Sequence, residues 1–165
     1  MRVQFPTVEQ VIQLPCLLRR VIPPEFEDLN GHMNIQHYMG IYNEASFPFG
    51  ELIGLDERYI KEQRRGIFDL EHHLYYVAEV HIGDQVAVYG RMLGRSAKRL
   101  HGQWFIVNET RQQLSNTFEF VSAHADLEAR RTVPFEGDLA AHLDAMLVEH
   151  QKLDWQAPVC GIMGA

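Results

Sequence analysis

A chain of 165 residues is long enough to bury one hydrophobic core and too short to make two ordinary domains the expectation. Hydrophobic residues at 46% and charged residues at 22% are the proportions of a globular protein, and no apolar run approaches the roughly 18 residues that a bilayer crossing requires. A net charge of -7 argues against a nucleic-acid binder, which needs a basic stripe to displace counterions from phosphates.

The N-terminal hexapeptide Met1-Arg2-Val3-Gln4-Phe5-Pro6 lacks the apolar stretch and small-residue cleavage site of a secretory signal, so a cytoplasmic location is expected. Cys16 and Cys160, near opposite ends and without metal-ligand spacing, are expected to be reduced and structural. Residues 17–22 read as a first strand, closed by Pro23-Pro24 because proline cannot donate to a ladder.

The segment Glu27-Asp28-Leu29-Asn30-Gly31-His32-Met33-Asn34 follows, and it ends on a good helix cap. Asp, Asn and Gly are common turn formers. They also set a carboxylate and a histidine beside a helix N-terminus, where the first backbone N–H groups lack partners and the dipole favours negative charge. From Asn34 the apolar residues Ile35, Tyr38, Met39, Tyr42, Ala45 and Phe49 recur with helical period, which predicts one buried stripe. Pro48 is expected to end or kink this helix near Phe47, and the charged segment 56–65 to cover the surface as a short helix or loop.

Beyond Gly66, residues 72–80, 85–93, 101–108 and 117–124 are rich in β-branched and aromatic types, with Gly83-Asp84, Gly94-Arg95-Ser96 and Asn108-Glu109-Thr110 as breaks. They predict four consecutive strands in an antiparallel meander. Leu139, Leu143, Met146 and Leu147 then mark an amphipathic helix over about 138–151, and the tail from Leu153 to Ala165 is expected to be less ordered. One strand, a long helix and four antiparallel strands make an α+β layout in which the helix covers one face of the sheet.

The run Asp28-Leu29-Asn30-Gly31-His32-Met33-Asn34, followed by Tyr38 and by Asn43-Glu44-Ala45, resembles the signature of hotdog-fold thioesterases of the 4-hydroxybenzoyl-CoA thioesterase type. Within that family it resembles the branch of betainyl-CoA thioesterases. The likeness spans about residues 17–133, including the His73 to Asp84 segment with its Gly-Asp turn. It implies a hotdog fold, an antiparallel sheet wrapped around a long central helix, in a single domain over 1–165. It further implies acyl-CoA hydrolysis, a homodimer or homotetramer with sheets joined edge to edge and active sites at the joint, and no cofactor beyond the coenzyme A of the substrate.

A thioester needs an oxygen nucleophile and a place for negative charge to accumulate. Asp28 is the candidate nucleophile or general base, and the N–H groups of Ile35 and Gln36 the candidate oxyanion hole. His32 or Asn34 would orient water or carbonyl, while Gly31 would let the backbone approach the substrate. One departure matters: the family pattern Asp-x-Asp-x-x-Gly sets the acid five residues before the Gly, where this chain has Phe26, and Asp28 stands only three before Gly31. Water activation is therefore at least as well supported as a covalent acyl-Asp. Glu44 is the rival acid on the helix.

Arg91, Arg95, Lys98, Arg99 and His101 form the one basic cluster, a candidate for the phosphates of CoA. Tyr38, Tyr42, Trp104 and Phe118 are either core or an acyl pocket able to cage a quaternary ammonium. The adjacent His72 and His73 face opposite sides of a strand and neither Cys has a ligand partner nearby, so no metal site is expected. Two other readings stay open: a hydratase or dehydratase on acyl thioesters using His32 with Glu44, and a non-catalytic acyl-CoA-binding protein.

Overall fold

A computed structural model describes residues 3–165; Met1 and Arg2 of the N-terminal hexapeptide lie outside the described residues. In chain order the elements are α1 (Val8–Val11), β1 (Cys16–Val21), a 3-10 turn (Pro24–Phe26), α2 (Ile35–Ile53), α3 (Glu57–Gln63), β2 (Arg65–Tyr76), β3 (Gln85–Arg95), β4 (Arg99–Asn108), β5 (Gln113–Asp126), β6 (Arg131–Thr132) and α4 (Gly137–Gln151). One antiparallel sheet in the order β1-β3-β4-β5-β2 wraps α2. The α+β expectation holds. No helix among the described residues is long and apolar enough to cross a membrane.

Three expectations about α2 are corrected. It does not end at Pro48 but continues to Ile53 and stops at Gly54, whose φ of 83° suits a residue without Cβ. A proline at position 48 removes one donor, while burial of Phe49 and Ile53 beyond it rewards continuing the helix. Second, the buried stripe is Tyr38, Ile41, Tyr42, Ala45, Phe49 and Ile53. Third, Ile35 and Met39, assigned to that stripe on period alone, are 64% and 37% exposed.

The meander is also corrected. Only β3, β4 and β5 run consecutively, because β1 takes one edge of β3 and β4 takes the other, so β2 must pair with the free edge of β5. β2 begins seven residues before the predicted start at His72 and ends at Tyr76, where Val77 and Ala78 both turn their N–H groups onto the Ser115 carbonyl. The Gly83-Asp84 turn is fixed by Asp84, whose Oδ2 accepts from His81 N, Asn108 Nδ2 and Arg111 Nε at 2.7–2.9 Å.

The concave face of the sheet, with α2 and α4, holds the main core around Tyr42, Trp104, Ile106, Phe118 and Leu143. A second apolar cluster on the other face joins Val11, Tyr89, Phe105, Val107 and Trp155. The tail, expected to be loose, closes this cluster. It crosses the sheet along one row of facing residues, Arg91 on β3, Gln103 on β4 and Glu119 on β5. Arg91 donates to Trp155 O, Gln103 to Pro158 O, and Glu119 accepts from Cys160 N, at 2.7–3.0 Å. Both cysteines are free.

Candidate active site

The loop 27–34 is shaped by its own hydrogen bonds. Gly31 N donates to Asp28 O and Asp28 N to His32 O, and Gly31 takes a φ of 79° that closes the turn without strain. The Asp28 side chain folds back, with Oδ1 accepting from Asn30 N at 2.8 Å and Oδ2 lying 3.6 Å from His32 Nδ1. Partial burial works to raise the Asp28 pKa, but the Asn30 hydrogen bonds and the nearby imidazole outweigh it and hold the carboxyl below its ordinary value. It is a carboxylate at neutral pH.

Asn34 caps α2, and its side chain corrects the expected oxyanion hole: Oδ1 accepts from Gln36 N at 3.1 Å, and the Asn34 carbonyl accepts from His37 N. Of the first three N–H groups of α2, those of Gln36 and His37 are thus engaged, and that of Ile35 has no such partner. A cleft of about 500 Å³ brings together Asp28, His32, Ile35, Tyr38, Tyr76 and Glu79. Tyr38 is buried and its ring meets that of Tyr76 edge-on at 5.0 Å. Burial, reinforced by Tyr76, Glu79 and Asp28, pushes its hydroxyl up to about 12, so Tyr38 enters the cleft as a proton donor.

Gly31 does not line this cleft; its backbone shapes the turn, and its carbonyl faces His81 Nδ1 at 3.1 Å. Tyr76, Glu79 and His81 also reach the motif, because β2 ends at Tyr76 and not at Val80 as the strand pattern predicts, and the chain beyond it returns to loop 27–34. Phe26, at the position of the family acid, stacks on His37 with centroids 3.7 Å apart. Glu44 is absent from the cleft lining and pairs with Arg20, its Oε1 2.6 Å from Arg20 Nη1.

The basic cluster divides. Arg91 is buried over Trp155, with its guanidinium donating to the Trp155 and His150 carbonyls, which leaves it no face for a phosphate. Arg95 forks onto Asp144 at 2.6 and 2.7 Å, and His101 bonds the buried Glu119. Lys98 and Arg99 remain exposed at the hairpin tip. They lie far from Asp28 of the same chain: Ile106, opposite Asn116 and so one strand from Tyr76, is seven residues along β4 from Arg99, about 23 Å.

A second cavity, of about 510 Å³, lies farther along α2, under Tyr42, Phe49, Trp104 and Phe118 and beside Asp69 and His72 of β2. Among the described residues no group of three or more His, Cys, Asp or Glu side chains is placed to hold a metal ion.

The sequence profile described as the thioesterase-like superfamily matches residues 22–143. The chain belongs to that superfamily. This thioesterase-family chain is 30% identical over 141 residues to a betainyl-CoA thioesterase of Pseudomonas aeruginosa, covering 86% of this chain and 89% of that protein. It is 32% identical to an L-carnitine dehydrogenase/betainyl-CoA thioesterase of Agrobacterium fabrum over 75% of its own length, but spans only 25% of that longer protein. Its fold is similar to a putative thioesterase of Pseudomonas putida, with a TM-score of 0.74 at 26% identity, covering 92% of this chain and 96% of that one. A hypothetical protein of Staphylococcus aureus in complex with CoA superposes with a TM-score of 0.81 at 21% identity, over 92% and 96% of the two chains. The sheet wrapped on α2 is thus the hotdog fold, and the chain is an acyl-CoA thioesterase-family enzyme.

Proposed function

We propose that this enzyme hydrolyses an acyl-CoA thioester by activating water at Asp28. The observation that carries the reading is one cleft holding an ionised carboxylate, the free N–H of a helix N-terminus and a tyrosine hydroxyl. Water gives a proton to Asp28 as its oxygen bonds the carbonyl carbon, and the oxyanion that forms is met by Ile35 N–H. Collapse breaks the C–S bond, and the proton passes from Asp28 to the leaving thiolate. His32 holds the Asp28 side of the loop, Asn34 fixes the helix end, and Tyr38 donates to a substrate oxygen.

Water activation is preferred to a covalent acyl-Asp because Asp28 Oδ1 is already engaged by Asn30 N, which blunts it as a nucleophile. The hydratase alternative loses its second group, since Glu44 is paired with Arg20. A single turnover in H2(18)O decides the mechanism: label in the released acid supports water activation, and label in Asp28 with none in the first acid released overturns it. Absence of thiol release from any of a panel of short, long, aromatic and cationic acyl-CoAs would overturn the thioesterase reading. The betainyl group of the relatives' names is the first to test.

The working unit of the proposal is a homodimer. β2 is a 12-residue edge strand with Phe68 and Leu70 exposed, a form soluble proteins usually cover. Two copies joined antiparallel along β2 set the Tyr76 end of one beside the Arg65 end of the other. That arrangement carries Lys98 and Arg99 of the partner subunit toward Asp28, where they can meet the CoA phosphates.

A further inference from the structure

Loop 27–34 carries the proposed base, yet its middle is tied to the rest of the fold at a single point. Inside the loop, Asp28 N donates to His32 O, Gly31 N to Asp28 O and Asn30 N to Asp28 Oδ1. Its ends are anchored by Glu27 N on Pro24 O, Asn34 N on Phe26 O and Met33 N on Val80 O. Among the described residues, the one hydrogen bond that reaches residues 28–32 from outside the loop comes from His81, whose Nδ1 lies 3.1 Å from Gly31 O. A carbonyl oxygen only accepts, so Nδ1 carries the proton.

His81 stands on a firm base. Its N–H donates to Asp84 Oδ2 at 2.9 Å, the same oxygen that Asn108 and Arg111 hold, and the turn is pinned to β1 by Gly83 N on Ile22 O and Ile22 N on Asp84 O. The other ring nitrogen, Nε2, faces Glu79 Oε2 at 3.3 Å on the rim of the cleft. Exposed on the Glu79 side, that pair is screened by water and contributes little.

The peptide unit that His81 holds leads directly to Asp28. Gly31 C=O and His32 N–H belong to one planar trans peptide, in which they point opposite ways. With the oxygen on His81, the N–H turns back toward the Asp28 carboxylate. Desolvation works to raise the Asp28 pKa, and the His32 N–H joins the Asn30 groups and the His32 imidazole in holding it below its ordinary value. Gly31, at a φ of 79° and without Cβ, is the residue of the loop whose peptides rotate most freely, so an outside tie counts most there.

We infer that His81 is a positioning residue: by holding the Gly31 carbonyl it fixes the peptide whose N–H faces Asp28, and so keeps that carboxylate aimed into the cleft. The inference rests on the reading of Asp28 as the base and deepens it.

The test is a mutant cycle, read with the fastest ester among acetyl-, palmitoyl-, benzoyl- and betainyl-CoA. His81→Leu removes the donor, and kcat should fall about tenfold or more while KM changes by less than about twofold, because the ester still binds but meets a misdirected base. His81→Asn sets an amide N–H at the place of Nδ1 and should recover most of the loss. In Asp28→Asn the base is already gone, so adding His81→Leu should lower kcat by less than about twofold more. Thermal melting confirms that each variant is folded. A folded His81→Leu enzyme with wild-type kcat, a rise in KM alone, no recovery in His81→Asn, or a full further loss on top of Asp28→Asn overturns the inference and spares Asp28 as the base. Near-normal turnover by Asp28→Asn removes the Asp28 reading and this inference with it, and no thiol release from any of the four esters removes the thioesterase reading as well.

Discussion

Asp28 shapes a turn and, in the proposed mechanism, is also the base that activates water. Its Oδ1 shapes the loop through Asn30 N, and Oδ2 faces His32 and the cleft. Asp28→Asn keeps the size and much of the hydrogen bonding but removes the charge. The fold should survive and thiol release should fall by about 10²-fold or more, a ratio read directly from kcat. Because the Asp28 pKa is lowered from 3.8, the base stays ionised as pH falls from neutral and is lost only as pH passes below that value. kcat/KM should therefore stay flat from pH 7 down to about 5, and an acid limb near the ordinary histidine value of about 6.5 would move the role of base to an imidazole.

Among the elements, α2 carries the most information. Gly50 sits where a Cβ would meet the Leu55 carbonyl oxygen at 2.7 Å, since the chain turns back tightly after Gly54. Gly50→Ala should destabilise the protein by about 1–3 kcal/mol, measured by urea unfolding, despite alanine's better helix propensity. The β3–β4 hairpin tip makes a different prediction. In the proposed dimer Lys98 and Arg99 meet the CoA leaving group and not the scissile bond, so replacing both by Gln should raise KM for acyl-CoA several-fold and leave kcat nearly unchanged, the mark of binding shared by ground and transition states. An unchanged KM would place CoA elsewhere.

At the scale of the molecule, the two faces of the sheet are covered in different ways. The concave face is filled by α2, while the convex face is closed by α1 and by the tail that Arg91, Gln103 and Glu119 hold in register. Deleting residues 153–165 would uncover Phe105 and Tyr89 and take the Cys160 N–H from Oε2 of the buried Glu119, so the shortened chain should melt several degrees lower or associate nonspecifically. Sedimentation at micromolar concentration should give twice 19.1 kDa or a multiple of it. A monomer would leave Lys98 and Arg99 too distant from Asp28 to act with it.

The sequence by itself determined what depends on neighbours along the chain. The Asp28 to Asn34 turn, the Asn34 cap, the period of α2, the strand character beyond Gly66 and the amphipathic run of α4 follow from local bonding and hydrophobic spacing, and the motif was specific enough to suggest the family. What the tertiary structure alone decided involves choosing among partners equally allowed by pattern. A helical period does not say which of two adjacent apolar rows meets the sheet, so Ile35 and Met39 were misplaced. Strand character does not name the neighbour: β2 pairs with β5 and not with β3, whose two edges β1 and β4 occupy. Like charges close in sequence need not share a surface, and Arg91 points to the convex face, under the tail, for that reason. Local sequence fixes periodicity and caps because their bonds close within a few residues; pairing, facing and burial are settled only when distant segments compete for the same edge or the same core.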